Sequence, residues 1–186
     1  VTNLPVGAFG VTGGKAAAQY QGVDGSATGT TLFFPAAKGD YYDNTTTFYV
    51  QNAGSSAATA TANFLMRTGA TYNYTTPSIG PGQMAVFSIY DASGYTPPGA
   101  SGDDGRVGSV SVTSSQPLAG VSMEHKTTEN PATFVMGTRG FTSADYDDKA
   151  YAPVVKSDWY NRFTGIQVQN VGSASISTTV ASQGTA

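Results

Sequence analysis

Apolar and polar residues alternate along several short stretches of the chain. Thr46, Phe48 and Val50 alternate with residues 47, 49 and 51, which we expect to face solvent or a partner sheet. Because successive side chains of a strand point to opposite faces, this pattern predicts a strand that turns the first three residues toward a core. The same period continues beyond the next turn, at Ala58, Ala60, Ala62, Phe64 and Met66. Apolar residues do not recur at helical spacing for long, so we expect an all-β fold.

Turn residues separate the remaining apolar stretches. Further strands are predicted at residues 83–90, 107–114, 118–124 and 132–137. Gln-Asn followed by Gly-Ser predicts a hairpin turn at residues 52–55. Residues 91–105 are the longest segment without a hydrophobic pattern, which indicates a functional loop or a mobile tip. Short strands between turns are typical of an antiparallel, immunoglobulin-like β-sandwich, which is the fold we expect.

One segment of the chain is repeated after 118 residues without a gap. Residues 35–61 and 153–179 are identical at 11 of 27 aligned positions, and the match includes a second copy of the turn at residues 170–173. A weaker similarity, with one residue skipped, links residues 1–9 to residues 112–121. Residues 20–23 likewise resemble residues 138–141 at the same spacing of 118.

These similarities divide the chain into three parts. Residues 1–30 form an N-terminal segment that resembles the last strands of a repeat, and residues 31–149 form a full β-sandwich repeat. Residues 150–186 provide the first strands of a second, truncated repeat. Such a fragment would leave apolar residues and strand edges without a partner. We therefore expect Ile166, Val168, Ile176 and Val180 to form an assembly interface with Val6 and Phe9 of the N-terminal segment of another subunit.

Four motifs of the full repeat occur together in a fixed order. They are F-F-P-x-x-K at residues 33–38, T-x-F-x-V-Q-N-x-G-S at 46–55, P-G-Q at 81–83 and G-S-V-S-V-T-S-S-Q-P-L-A at 108–119. This set resembles the tandem β-sandwich repeats of large secreted and cell-surface proteins of bacteria, found in filamentous and thermophilic lineages. The resemblance covers most of residues 16–186. It implies a fold and an extracellular, cell-surface location, and it brings no catalytic residues.

The composition of the chain argues against several classes of function: nucleic-acid binding, membrane spanning and catalysis. Only 11% of the 186 residues are charged, and 9 basic against 12 acidic residues give a net charge of −3, so a basic surface for nucleic acid is not expected. No apolar run approaches the length that a membrane span requires. Cysteine is absent and there is a single histidine, His125, which excludes a zinc site in practice and leaves little for catalysis. We expect a protein that is not an enzyme.

Acidic residues and repeated polar residues offer the remaining chemistry. We expect no cofactor, and the alternative to solvated loop carboxylates is a Ca²⁺ site formed from Asp103, Asp104, Asp145, Asp147 and Asp148. Lys38 and Asp40 recur as Lys156 and Asp158. This repetition indicates either a turn held by a salt bridge or a covalent Lys–Asp or Lys–Asn cross-link. Two sequons, at Asn44 and Asn73, are candidate glycosylation sites in an exported protein.

A group of aromatic residues gives the main alternative function. The candidates are Tyr41, Tyr42, Tyr49, Trp159 and Tyr160. A flat aromatic row on a sheet can stack sugars, which would make the chain a carbohydrate- or surface-binding adhesion module with a cell-surface glycan as its partner. Contacts between subunits explain the same residues without a ligand. The interpretation we favour is a secreted structural protein that polymerises head-to-tail into a surface filament or layer.

Overall fold

The chain folds almost entirely into antiparallel β-structure. The structure is a computed structural model that describes residues 8–10, 17–19, 22–23, 25–126, 135–147, 149–150, 152, 155, 157 and 164–181. Its strands are β1 (Ala8–Gly10), β2 (Ala17–Gln19), β3 (Gly29–Lys38), β4 (Asn44–Asn52), β5 (Ala60–Met66), β6 (Thr71–Thr75), β7 (Met84–Ser88), β8 (Val107–Lys126) and β9 (Val135–Arg139). Single 3-10 turns occur at Gly25–Ala27, Ile89–Asp91, Asp104–Arg106 and Ser143–Asp145. Within the described ranges there is no α-helix, which confirms the all-β prediction.

The long strand β8 organises the sheet. Its first half, residues 107–114, pairs with β3 on one side and β5 on the other. Its second half, residues 118–126, pairs with β4 and β9. Strand β6 extends the first half of the sheet beside β5, and β7 extends the second half beside β4. The result is an open sheet that curls, with two sets of strands that share β8 and with antiparallel pairing throughout.

An aromatic core lies inside the curl. Phe48 of β4 is fully buried and contacts the rings of Phe34, Phe64 and Phe87, at centroid distances of 5.2, 5.9 and 5.6 Å. Alternate residues of β4 and β5 face this core, while Gln51 and other residues between them are more exposed. The predicted faces of both strands are therefore confirmed. Burial of such rings supplies a large part of the apolar area that stabilises the fold.

The turn after β4 is not the hairpin that its sequence predicts. Strands β4 and β5 do not pair with each other: β4 pairs with β7 and the second half of β8, and β5 pairs with β6 and the first half of β8. The turn at residues 52–55 therefore carries the chain from one half of the sheet to the other. The predicted strands at residues 107–114 and 118–124 are likewise a single strand, β8, since it continues through Pro117 and only changes partners. Strands β3 and β6 were not predicted from the pattern.

The two ends of the chain differ in how they pair. In the N-terminal part, β1 and β2 form a two-stranded sheet, and β2 lies beside β9. In the C-terminal part, described residues 164–181 belong to no strand. Strand β9 replaces the strand predicted at 132–137, of which residues 132–134 lie outside the described residues. The boundaries at residues 30 and 149 stay predictions.

Candidate assembly interface

The second copy of the repeat exposes side chains whose counterparts form the core of the first. Ile166 and Val168 are 48% and 59% exposed, whereas Phe48 and Val50 at the matching positions are fully buried. Val180 is 66% exposed, although its counterpart Ala62 is fully buried. Ile176, at 61%, is likewise exposed. Residues 164–181 thus expose these apolar side chains, and the segment pairs with no described strand.

The turn between the two apolar stretches has the same hydrogen bonds in both copies. In the first copy, Asn52 Nδ2 donates to the Ser56 carbonyl at 2.7 Å, and Asn52 Oδ1 accepts from the Gly54 amide at 2.9 Å. In the second copy, Asn170 Nδ2 donates to the Ala174 carbonyl at 2.7 Å, and its Oδ1 accepts from the Gly172 amide at 3.0 Å. An asparagine side chain that bonds through both its amide nitrogen and its oxygen to the backbone of the next residues stabilises a turn locally. At this turn the two copies therefore share their hydrogen bonds as well as their sequence.

One side-chain hydrogen bond distinguishes Asn52 from Asn170. Asn52 is 1% exposed, and its Nδ2 donates a second hydrogen bond, of 2.8 Å, to the carbonyl of Ile79. Asn170 is exposed, and among the described residues its Nδ2 has only the Ala174 carbonyl as an acceptor. The turn of the second copy is formed without the rest of the sheet.

The repeated lysine and aspartate do not pair with each other. Lys38 Nζ lies 2.5 Å from Glu124 Oε1 of β8, and both side chains are largely buried. Asp40 Oδ2 instead accepts from Arg106 at 3.1 Å. Lys38 and Asp40 are thus held by residues of distant segments, and the lysine has Glu124 rather than the expected aspartate as its partner. Lys156 and Asp158 lie outside the described residues.

Arg106 also holds the long segment 91–105. Its Nε donates to the Pro98 carbonyl at 2.8 Å and its Nη2 to the Gly99 carbonyl at 3.0 Å. The loop is therefore attached to the turn that follows β3. Neither Arg106 nor Glu124 was a candidate in the sequence, because their roles depend on contacts with residues far away along the chain.

The aromatic candidates are not brought into one flat row. Tyr41 and Tyr42 meet edge-to-face at 4.8 Å in a turn where Tyr42 has a φ of 48°, in the left-handed region. Tyr49 lies elsewhere, on β4 opposite Val86 of β7 and on the face away from the core. Trp159 and Tyr160 lie outside the described residues. The three described candidates, Tyr41, Tyr42 and Tyr49, therefore do not form one flat platform for stacking a sugar chain.

The described acidic candidates for a Ca²⁺ site bond to backbone amides or to arginine side chains. Asp103 caps a 3-10 turn by accepting from the Gly105 amide at 2.7 Å, and Asp104 lies 2.8 Å from Arg67. The Arg139 guanidinium beside Asp145 lowers the pKa of that carboxyl. Asp147 Oδ1 accepts from the Lys149 amide at 3.3 Å, and Asp148 lies outside the described residues. Within the part of the chain that the structure describes, no group of three or more acidic or histidine side chains is placed to hold a metal ion.

The other polar candidates occupy strands. His125 lies on β8 opposite Thr45 and Val135 and is partly buried. Asn44 donates through Nδ2 to the Tyr42 carbonyl at 2.9 Å, so its amide is engaged in a turn. Asn73 is exposed on β6, at an edge of the sheet. Of the two sequons, only the one at Asn73 presents an exposed asparagine side chain.

Comparison with known proteins adds little to this description. No protein-family model and no curated protein matches the chain. The crystal structure of Thermotoga maritima 1070 is similar to part of it, with a TM-score of 0.45 and 18% sequence identity over 60% of this chain and 92% of that one. In the described residues there is no helix that is both long and apolar enough to cross a membrane. The site is therefore interpreted from its own geometry.

Proposed function

We propose that this chain is a secreted, non-enzymatic structural protein that polymerises head-to-tail into a filament or layer on a cell surface. In this proposal the curled sheet is an immunoglobulin-like sandwich. The truncated second repeat of one subunit is completed by strands of another, by β-strand complementation. A contact between different surfaces of two copies propagates rather than closing on itself, which suits a filament.

The observation that carries the proposal is the exposed apolar surface of residues 164–181. Ile166 and Val168 repeat the positions of Phe48 and Val50, yet they are about half exposed rather than buried. Burial of a side chain of this size contributes on the order of 1.5–3 kcal/mol. Four such residues, in a segment that belongs to no described strand, give a strong drive toward association. The low content of charged residues supports the same proposal, because it leaves little repulsion between copies.

The test replaces the apolar surface with polar residues of modest size. We expect the double variant Ile166→Ser/Val168→Ser to lose polymerisation while the full repeat stays folded. The matched control is Met84→Ser/Val86→Ser on β7, where the side chains are similarly exposed at 56% and 49% but lie outside residues 164–181. Negative-stain electron microscopy and light scattering after size exclusion would measure assembly, and circular dichroism would measure folding.

Three results are informative. Polymers of the unmodified chain and of the β7 control, with only short species from the 166/168 variant, support the proposal. Equal polymerisation of all three proteins would show that residues 164–181 are not the interface. A monomer at every concentration of the unmodified chain would overturn the proposal as a whole.

A further inference from the structure

We propose that the outward face of the first half of the sheet binds a neutral polysaccharide. This inference goes beyond the proposed function, because the face belongs to the full repeat and contains none of residues 164–181. It is formed by β6, β5, the first half of β8 and β3, which lie side by side. Ala62 and Phe64 of β5 and Val112 of β8 are buried in the core, so the residues that alternate with them point outward.

Two rows of side chains cross this face from strand to strand. The register places four threonines opposite one another on successive strands, here called the threonine row: Thr75, Thr61, Thr113 and Thr31. Beside it lies the asparagine row: Asn73, Asn63, Ser111 and Phe33. Because neighbouring strands lie about 4.8 Å apart, each row is about 14 Å long. Such a length fits several units of a chain molecule better than one small ligand.

The polar groups of the two rows have capacity for further hydrogen bonds. Asn63 and Asn73 are exposed, and their side-chain amides have no hydrogen-bond partner among the described residues. Each amide carries two N–H donors and an acceptor oxygen. In the threonine row, the hydroxyls of Thr61 and Thr75 lie 3.2 Å apart, and Thr113 is exposed. The sheet therefore holds closely spaced groups that can both donate and accept.

The asparagine row ends at a pair of aromatic rings. Phe33 meets Tyr146 edge-to-face at a centroid distance of 5.7 Å, and Tyr146 is 49% exposed. A ligand that follows the row from Asn73 thus passes polar side chains and then reaches an exposed ring. Apolar surface beside a few polar groups that fix orientation is the usual composition of a ligand site.

The lack of charge in both rows indicates the class of ligand. Neither row contains a basic side chain for a polyanion or an acidic one for a polycation. A protein partner fits poorly, because serine is depleted at protein interfaces and serine and threonine are rare among the residues that dominate binding. A neutral polysaccharide fits, since its hydroxyls donate and accept as these side chains do. Its sugar rings also have apolar faces that can stack on Tyr146.

Affinity electrophoresis of the full chain tests this inference. The gels contain dextran, mannan, xyloglucan or hydroxyethyl cellulose as neutral probes, and polygalacturonate as an anionic comparison. We expect at least one neutral polymer to retard the chain and polygalacturonate to have no effect. The double variant Asn63→Ala/Thr113→Ala should bind at least about fivefold more weakly, because it removes one amide and one hydroxyl from the face.

The matched control is Thr47→Ala/Gln51→Ala. It also removes one hydroxyl and one amide, from the outward side of β4 in the other half of the sheet. We expect this control to bind like the unmodified chain. At the end of the row, Tyr146→Ala should weaken binding and Tyr146→Phe should preserve it, because stacking requires only the ring. Unchanged urea midpoints would show that all the variants are folded.

Each remaining outcome contradicts the inference in a different way. Retardation by none of the neutral polymers, or by polygalacturonate alone, would overturn it. Equal binding by the Asn63/Thr113 variant and its control would show that the ligand lies elsewhere. Loss of polymerisation in the Asn63/Thr113 variant, with polysaccharide binding unchanged, would make the face a contact between copies. An intact mass above that of the sequence, abolished by Asn73→Ala, would show an attached glycan in place of a bound one.

The binding assay and the polymerisation assay report on different surfaces. A chain that binds a neutral polysaccharide and stays monomeric would support this inference and overturn the proposed function. A chain that polymerises through residues 164–181 and binds no polysaccharide would do the reverse.

Discussion

The matched asparagines at positions 52 and 170 allow one substitution to be made twice in one molecule. Asn52→Ala and Asn170→Ala remove the same side chain from the same kind of turn. The two positions differ in burial and in one side-chain hydrogen bond. Comparing the two variants therefore separates what the local turn contributes to the free energy of unfolding from what its contacts with the sheet contribute.

The expected loss at Asn52 is large. Its side chain makes three hydrogen bonds, and the one to the Ile79 carbonyl lies in the buried interior. Loss of a buried hydrogen bond that leaves its partner unsatisfied costs about 1–3 kcal/mol, while each of the two part-buried bonds contributes about 0.5–1.5 kcal/mol. The Ile79 carbonyl retains the amide of Ala58, which limits its penalty. We expect Asn52→Ala to lower the free energy of unfolding by about 2–4 kcal/mol.

The expected loss at Asn170 is small, since its turn lies outside the sheet and water replaces both bonds. We expect a change below about 0.5 kcal/mol in the free energy of unfolding. Urea titrations followed by circular dichroism, at a protein concentration where the chain is not polymerised, would measure both values. Equal effects at the two positions, or a loss below about 1 kcal/mol at Asn52, would refute the view that the Ile79 contact decides the difference.

Three further predictions concern the full repeat. Lys38→Met should lower the free energy of unfolding by about 3–5 kcal/mol, because it leaves Glu124 buried without its ion-pair partner. The double variant Lys38→Met/Glu124→Met should recover most of this loss in the same urea titration. Gly108→Ala should cost at least about 1–3 kcal/mol in thermal unfolding, since the new Cβ would lie 2.2 Å from the Leu65 carbonyl oxygen, whereas Gly165→Ala meets nothing within 4 Å and should be neutral. Burial raises the pKa of Tyr95 to about 12, so the neutral phenol stabilises the fold below pH 10 and this contribution is lost between pH 10 and 12. Tyr95→Phe should therefore leave the free energy of unfolding unchanged or slightly higher at pH 7, because the Tyr95 hydroxyl is buried without a partner among the described residues. The same variant should lose less stability between pH 10 and 12 than the unmodified chain. An equal loss in both proteins would contradict this assignment.

Local patterns were sufficient for part of the fold and part of the candidate site. The two-residue period around Phe48 predicted which side chains are buried, because alternation along a strand follows from backbone geometry alone. The repeat at a spacing of 118 indicated the Asn170 turn for the same reason, since its hydrogen bonds join residues only two to four positions apart. The exposed surface at Ile166 and Val168 was expected from the incomplete repeat.

The sequence by itself thus determined the all-β class, the buried faces of the strands, the scarcity of charge and the position of the second turn. Only the tertiary structure decided that β4 and β5 pair in different halves of the sheet, that β8 is continuous, and that Lys38 pairs with Glu124. The physical reason is the distance along the chain over which each interaction acts. Alternation and turns depend on neighbouring residues, whereas Lys38 and Glu124 are separated by 86 positions, and strand order depends on which distant segments bury the most apolar area together.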